Sequence, residues 1–210
     1  MVIEMKIETL TNYMTDENTY IVYNDGGAVV IDPGNSADQI IKTASDLGVK
    51  IEYVFITHCH YDHIEFLEEL RGKTGAKLVS GKEGADNVTN PDINLSLHGL
   101  GKEIYAKKSE IILADNEERD FCGINFKCIY TPGHTSCGVC YLAENNLFAG
   151  DTLFLRSIGR SDLPTGDALT LINSIETRLY TLDDDIKVYS GHGNPTTIGY
   201  EKKYNFFVKG

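Results

Sequence analysis

The chain has 210 residues, an apolar fraction of 41% and a formal net charge of −12. This composition is typical of globular proteins, and no apolar run approaches the ~18 residues that a membrane-spanning helix needs. The acidic balance argues against a nucleic-acid partner, because that binding depends on clustered Lys and Arg.

The first segment predicts a β-hairpin followed by a helix. Residues 19–23 and 28–31 have the apolar, β-branched composition of strands, and Asn24–Gly27 between them is a turn sequence. Ser36 can then cap a helix that Gly48 ends.

The next strand, predicted over residues 53–56, leads into Thr57-His58-Cys59-His60-Tyr61-Asp62-His63. On a strand end, His58 and His60 point to the same face because side chains alternate with period two. The Asp-His pair that follows turns away, and residues 64–71 predict a short amphipathic helix. Two His facing one point and an Asp-His pair facing a neighbouring point suit two metal ions better than one.

Each of these side chains has an ordinary alternative role. Asp62 could cap the helix, with Glu65 completing a capping box. The alternatives fail for the cluster as a whole, because His-x-His-x-Asp-His should arise by chance in well under ~1% of chains of this size. The run therefore predicts a metal site, and capping by Asp62 is compatible with it.

After a strand at residues 77–80, the polar residues 82–120 predict a long connection between two halves, one that could cover the site. His98 within it is interpreted as an ordinary solvated histidine. The second half predicts a helix over residues 167–180 with an apolar stripe along one face. Its predicted strands are residues 125–130, 139–142, 147–149 and 187–190.

Candidate ligands recur directly after a small residue at the ends of predicted strands. The instances are Thr57-His58, Gly133-His134, Gly150-Asp151 and Gly191-His192, with Ile31-Asp32 as a looser fifth. Ligands at strand ends allow a sheet scaffold to build a rigid site along one edge.

The five cysteines, an odd number in a chain of this size, favour a reducing cytoplasm. The stretch Met1–Lys6 has neither a basic nor an apolar segment, so no signal peptide is predicted. Cys137 and Cys140 have redox-motif spacing, but residues three apart on a strand face opposite sides, so no working dithiol is expected. Cys59 is interpreted as a small residue that fills space.

The candidate ligands resemble those of the metallo-β-lactamase superfamily: His58-x-His60-x-Asp62-His63, His134, Asp151 and His192. The similarity extends from about Thr19 to the C-terminus. Within it, residues 159–167 and 191–201 resemble short glyoxalase II-like (hydroxyacylglutathione hydrolase-like) hydrolases. The resemblance implies an α+β (αβ/βα) four-layer sandwich, with two mixed β-sheets face to face and helices outside, in one domain over residues 1–210.

The resemblance also implies a binuclear centre. His58, His60 and His134 would hold one metal ion, Asp62, His63 and His192 the other, and Asp151 would bridge them. Imidazole and carboxylate ligands without thiolate favour zinc, with iron possible at one or both positions. Asp32 is expected to hold a ligand or the backbone beside the metals.

The predicted chemistry is hydrolysis. Two ions about 3.5–4 Å apart can share a hydroxide, since a metal lowers the pKa of bound water to about 7. That hydroxide would attack an acyl carbon while Asp62 orients it and accepts its proton. A thiolate, with a reference pKa of about 8.5, leaves without strong acid catalysis, so a thioester or a related acyl compound is the expected substrate.

Substrate contacts are predicted at three further residues. Arg160 and Asp162 are candidates, and the alternative is an internal salt bridge that shapes their loop. Tyr61 could line the cleft or be a surface aromatic. Only residues 193–210 follow His192, so no C-terminal helical domain that grips glutathione is expected.

Two rival hypotheses stay open. Persulfide dioxygenases of the same superfamily use one iron held by the equivalents of His58, His134 and Asp151, and they too carry a Gly-Arg-x-Asp segment. A non-catalytic, metal-stabilised binding module would need metal positions that the protein saturates. The expected partner is a small-molecule substrate, without nucleic acid or membrane.

Overall fold

Short apolar runs separated by turns build the first sheet in the computed structural model, which describes residues 4–210. Its six strands follow chain order: β1 Lys6–Thr11, β2 Asn18–Asn24, β3 Gly27–Ile31, β4 Ile51–Phe55, β5 Lys77–Gly81 and β6 Ile111–Leu113. The first three are antiparallel, whereas β3 to β6 are parallel. Residues 1–3, part of the stretch in which no signal peptide is predicted, lie outside the described residues.

The second sheet also has six strands, in the order β14-β13-β10-β9-β8-β7. Their bounds are β7 Glu118–Phe121, β8 Ile124–Tyr130, β9 Val139–Ala143, β10 Asn146–Gly150, β13 Lys187–Ser190 and β14 Thr196–Thr197. The β10–β13 pair is parallel and the other pairs are antiparallel. A small ribbon, β11 Leu153–Phe154 and β12 Ser157–Ile158, follows β10.

Helices cover the outer face of each sheet. They are α1 Ala37–Asp46, α2 Tyr61–Ile64, α3 Leu67–Thr74, α4 Lys82–Asn87, α5 Ser96–Leu100, α6 Ala168–Ser174 and α7 Ile198–Tyr204, with a π-helical turn at Ile175–Leu179. Ser36 caps α1 as predicted, since its side chain accepts a hydrogen bond from the Gln39 amide. Of the helices within residues 4–210, none is both long enough and apolar enough to span a bilayer.

Three buried clusters define the layers. Ile40 of α1 and Leu67 of α3 pack on the first sheet, and Leu171 of α6 packs on the second. Between the sheets, aromatic side chains such as Phe55 and Tyr141 meet, with ring centroids 4.8 Å apart. The predicted four-layer sandwich is therefore confirmed.

The helix predicted over residues 64–71 is wrong in its bounds. The chain instead forms α2 and α3, separated at Glu65 and Phe66, where the Phe66 amide bonds to the Pro33 carbonyl. Asp62 consequently lies inside α2 and makes no capping hydrogen bond there. The connection at residues 82–120 contains α4, α5, β6 and most of β7, none of which the sequence pattern predicts.

Candidate metal centre

The ligand-rich run leaves the first sheet before its histidines. Strand β4 ends at Phe55, so His58 and His60 lie in a loop rather than on the predicted strand end. They nevertheless face one point together with His134, since one ligand atom from each of the three lies within 4.8 Å of the others. The period-two argument is wrong about the local backbone, although the two side chains do converge.

A second group forms beside the first. Helix α2 directs Asp62 and His63 towards His192, which follows β13, and ligand atoms of these three also lie within 4.8 Å of one another. The Asp62 Oδ2 atom is 3.4 Å from the His192 Nε2 atom. The six residues predicted to hold two ions are thus gathered into two clusters of three.

Asp151 lies between the two groups. Its Oδ1 atom is 3.4 Å from His63 Nε2, and its Oδ2 atom is 3.5 Å from His134 Nε2 and 3.6 Å from His192 Nε2. Two ligands of one tetrahedral zinc ion, each about 2.1 Å from it, would be about 3.4 Å apart. The side chains are therefore spaced as ligands around shared cations.

Unpartnered buried atoms provide a second test of whether metals fit. Within the part of the chain that the structure describes, the Nε2 atoms of His58, His60 and His63 and the Oδ1 atom of Asp151 are buried without a hydrogen-bond partner. Each such atom costs about 1–3 kcal/mol when it stays unsatisfied. Those on His58, His63 and Asp151 fit divalent cations, and His60 faces His134 Nε2 through its Nδ1 atom at 2.9 Å.

The electrostatics of His58 and His60 agree with this. Burial lowers the pKa of His58 well below its usual value, and burial together with His134 lowers the pKa of His60 to about 3. Both rings are therefore neutral at pH 7, the form that ligates a metal. Burial also lowers the pKa of His63, but the carboxylates of Asp151 and Asp62 outweigh it and raise that pKa well above its usual value.

Outer hydrogen bonds hold the rings in place. Asp32 accepts hydrogen bonds from the Thr57 amide at 2.7 Å and the Thr57 hydroxyl at 2.6 Å, and its Oδ2 atom lies 3.0 Å from His63 Nδ1. His134 Nδ1 donates to the Arg160 carbonyl at 2.6 Å. Such bonds fix the ring orientation and direct each Nε2 atom towards the cluster.

Two glycines allow the backbone to approach the ligands. A Cβ atom on Gly191 would lie 2.2 Å from Asp151 Oδ1, and one on Gly150, whose φ is +48°, would lie 2.2 Å from Thr57 Oγ1. A larger side chain at either position would displace a ligand or its support. The small residues noticed before the candidate ligands therefore have a steric reason.

A cavity of about 730 Å³ opens above the cluster. Its floor contains His60, Asp62, His134, Asp151 and His192, and its walls contain Tyr61, Leu95, His98, Gly99, Phe154, Arg160, Leu163 and Pro164. Part of the connection at residues 82–120 thus covers the site, as the sequence suggests. His98 is exposed, as expected of a solvated histidine, but it also lines the cavity.

The two predicted loop contacts pair with each other. Arg160 donates from Nε and a terminal nitrogen to both carboxylate oxygens of Asp162, at 2.7 and 2.8 Å. Arg160 also lines the cavity, whereas Asp162 is not among the lining residues. No sequence signal marks the apolar wall residues Leu95, Phe154 and Leu163, because a loop residue that faces a cavity belongs to no periodic pattern.

All five cysteines are free thiols. Cys137 packs in the buried cluster that contains Ile40 and Leu67, and Cys140 packs in the one that contains Leu171. The expectation that the two cysteines face opposite sides is therefore confirmed. Cys59 is fully buried, and its sulfur lies 3.4 Å from that of Cys137.

Comparison with known proteins agrees with this geometry. Residues 14–192 match the family model of the metallo-beta-lactamase superfamily. A protein of Streptococcus pyogenes named probable metallo-hydrolase is 36% identical, over 97% of this chain and 90% of its own length. The hydroxyacylglutathione hydrolase GloC of Haemophilus influenzae is 32% identical, over 97% of this chain and 98% of its own.

Solved structures show the same architecture. The crystal structure of the BLEG-1 B3 metallo-beta-lactamase superposes with a TM-score of 0.91 and 31% identity, covering 98% of this chain and all of its own. The protein TTHA1623, crystallised in a di-iron-bound form, superposes with a TM-score of 0.84 and 27% identity, covering 96% of this chain and 100% of its own.

Proposed function

Because the chain belongs to the metallo-beta-lactamase superfamily, we propose that it is a binuclear zinc-dependent hydrolase that cleaves thioesters or related acyl compounds. One observation carries the proposal: two clusters of three ligands meet at Asp151, on the floor of an open cavity. A non-catalytic module would have no need of a cavity that reaches its metal ligands.

Each of the two ligand clusters would hold one metal ion. His58, His60 and His134 would hold one ion, Asp62, His63 and His192 the other, and Asp151 would reach both. When bound, divalent ions supply a water activated at neutral pH and polarise the substrate carbonyl. Imidazole and carboxylate ligands without thiolate favour zinc, and the di-iron form of TTHA1623 makes iron the alternative to test.

The chain's own residues position and deprotonate the nucleophile. Asp62 is partly exposed to the cavity and has one oxygen 3.4 Å from His192 Nε2. From there its carboxylate can orient an attacking water and accept its proton. Asp32 keeps His63 in one orientation through the hydrogen bond between them, which preorganises the ligand set.

The acyl substrate is supported by both the site and a relative. A thiolate leaves at neutral pH without strong acid catalysis, so a site built from metal ligands is sufficient for a thioester. The Haemophilus influenzae relative carries the name of an enzyme that hydrolyses a glutathione thioester. The free thiols suit a reducing compartment, so we place the enzyme in the cytoplasm.

Elemental analysis followed by a thioester assay tests this function. Protein purified without added metal should contain two zinc equivalents and hydrolyse S-acetyl-N-acetylcysteamine. One iron equivalent, with oxygen consumed in the presence of glutathione persulfide, would favour the dioxygenase hypothesis. Bound metal without any turnover of acyl compounds would favour the binding module.

A further inference from the structure

The walls of the cavity carry four apolar residues, in contrast to its floor. Two separate segments supply these four residues: Leu95 directly precedes α5, and the stretch that follows β10 contributes Phe154, Leu163 and Pro164. Leu95, Phe154 and Leu163 are half-buried, so a substrate that enters the cavity can still cover them. Each methylene group of a substrate buried there adds about 0.8 kcal/mol, or about fourfold, to binding.

The walls also lack a free positive charge. Arg160 is the only lysine or arginine among the described residues that line the cavity. Its guanidinium donates to both oxygens of Asp162, so the pair carries no net charge. Tyr61 and His98 add a hydroxyl group and an imidazole ring at the rim, which can hydrogen-bond to neutral groups.

A carboxylate on the substrate would therefore be desolvated without a partner on these walls. Burying an unpaired charge costs much more than burying a methyl group gains. The net charge of −12 also disfavours encounter with an anionic substrate. Both effects select against substrates that carry carboxylates away from the reacting carbonyl.

We propose that the enzyme acts on apolar thioesters that carry no carboxylate on either the acyl or the thiol side, and that Leu163 and Phe154 set this preference. The inference rests on the proposed thioesterase function and narrows its substrate class. It sets the chain apart from a hydrolase whose substrate is an anionic glutathione ester.

Three matched thioesters test the preference with the zinc-loaded full chain: hexanoyl-N-acetylcysteamine, adipoyl-N-acetylcysteamine and hexanoylglutathione. The uncharged ester should have a kcat/KM at least about tenfold higher than that of either charged ester, the margin for one unpaired charge. Equal values, or a higher value for a charged ester, would overturn the proposal while leaving the thioesterase function intact.

Binding measured without turnover separates the two proposals. Thioether analogues of the three esters, with a methylene in place of the carbonyl, can be titrated calorimetrically. If no ester is hydrolysed, the proposed function fails. The order of thioether affinities still supports the charge preference if the uncharged analogue binds tightest, and overturns it otherwise.

A charge added to the wall should reverse the preference. Leu163→Lys should raise the adipoyl-to-hexanoyl ratio of kcat/KM by about tenfold or more, because the carboxylate then finds a partner. Leu169→Lys is the matched control, since Leu169 is 79% exposed on α6 and does not line the cavity. Pro164→Lys, at an exposed wall position, repeats the test if the first variant does not fold. An unchanged ratio in the folded wall variants would overturn the role given to the wall.

Discussion

The floor and the walls of the cavity are built in different ways. The floor consists of imidazoles and carboxylates that follow strands of both sheets, and buried hydrogen bonds such as His63–Asp32 fix their orientation. The walls consist of half-buried or exposed side chains from two surface segments. The difference teaches that chemistry and substrate choice are separable here: a change in the floor should alter metal content, and a change in the wall should alter only specificity.

The largest effect is expected at Asp151, the residue that both ligand clusters share. Asp151→Ala removes a carboxylate that faces His63, His134 and His192, so three imidazoles lose a common partner. We expect loss of bound metal and a fall in kcat/KM of more than ~100-fold, beyond the range typical of residues that only support a ligand. Elemental analysis and the thioester assay measure both quantities.

The matched control is Asp185→Ala, which removes an exposed carboxylate in the turn before β13. It should keep its metal and its activity. Retention of both ions by Asp151→Ala would show that the floor does not depend on a shared ligand.

A smaller effect is expected at Asp32, which hydrogen-bonds to the ligand His63. Asp32→Asn keeps the shape of a residue with φ +51°, a conformation that Asn tolerates, but loses an acceptor for the Thr57 and His63 donors. We expect metal affinity to fall about 10- to 100-fold and the free energy of unfolding to fall by ~1–3 kcal/mol. Metal titration and chemical denaturation measure the two changes.

Asp25→Asn, in the exposed turn between β2 and β3, is the control for that change of charge. If Asp32→Asn binds metal as tightly as the unaltered protein, the outer hydrogen bonds do not tune the floor.

The wall should respond without involving the metal. Phe154→Ala removes a ring that lies beside His192, with centroids 6.2 Å apart, and lines the cavity. We expect kcat/KM for the hexanoyl ester to fall about tenfold, the value of part of a buried Phe side chain, with unchanged metal content. If Phe154→Ala also loses metal, the wall contributes to metal binding, and metal binding and substrate choice are not separable.

The sequence revealed the floor much more completely than the walls. His58, His60, Asp62 and His63 stand out because such a dense run of ligand types is rare by chance. The remaining three ligands stand out because each directly follows a glycine. These signals are local in the sequence, and the two sheets bring the corresponding side chains together.

The walls had no comparable signal. Leu95 and Phe154 are ordinary apolar residues in the sequence, and their position over the floor depends on tertiary packing that no periodic pattern records. Strands β6 and β7 also lack a sequence signal, because they are three and four residues long, too short to show alternation. The break between α2 and α3 depends on a hydrogen bond from Phe66 to Pro33, a long-range contact.

The smallest effect tests the charge of the wall. The hydrogen bonds from Arg160 lower the pKa of Asp162 to about 2, and a lowered carboxyl pKa means that the anion persists above that pH. The ion pair is therefore intact from pH 6 to 8, so the preference for hexanoyl over adipoyl ester should not change across that range.

Asp162→Ala frees Arg160, whose charge is permanent, and should raise kcat/KM for the adipoyl ester up to about fivefold, the limit for an exposed ion pair. Asp183→Ala, at an exposed site outside the cavity, should leave that value unchanged. A preference that varies between pH 6 and 8 in the unaltered protein would mean that the Arg160–Asp162 pair does not set the charge of the wall.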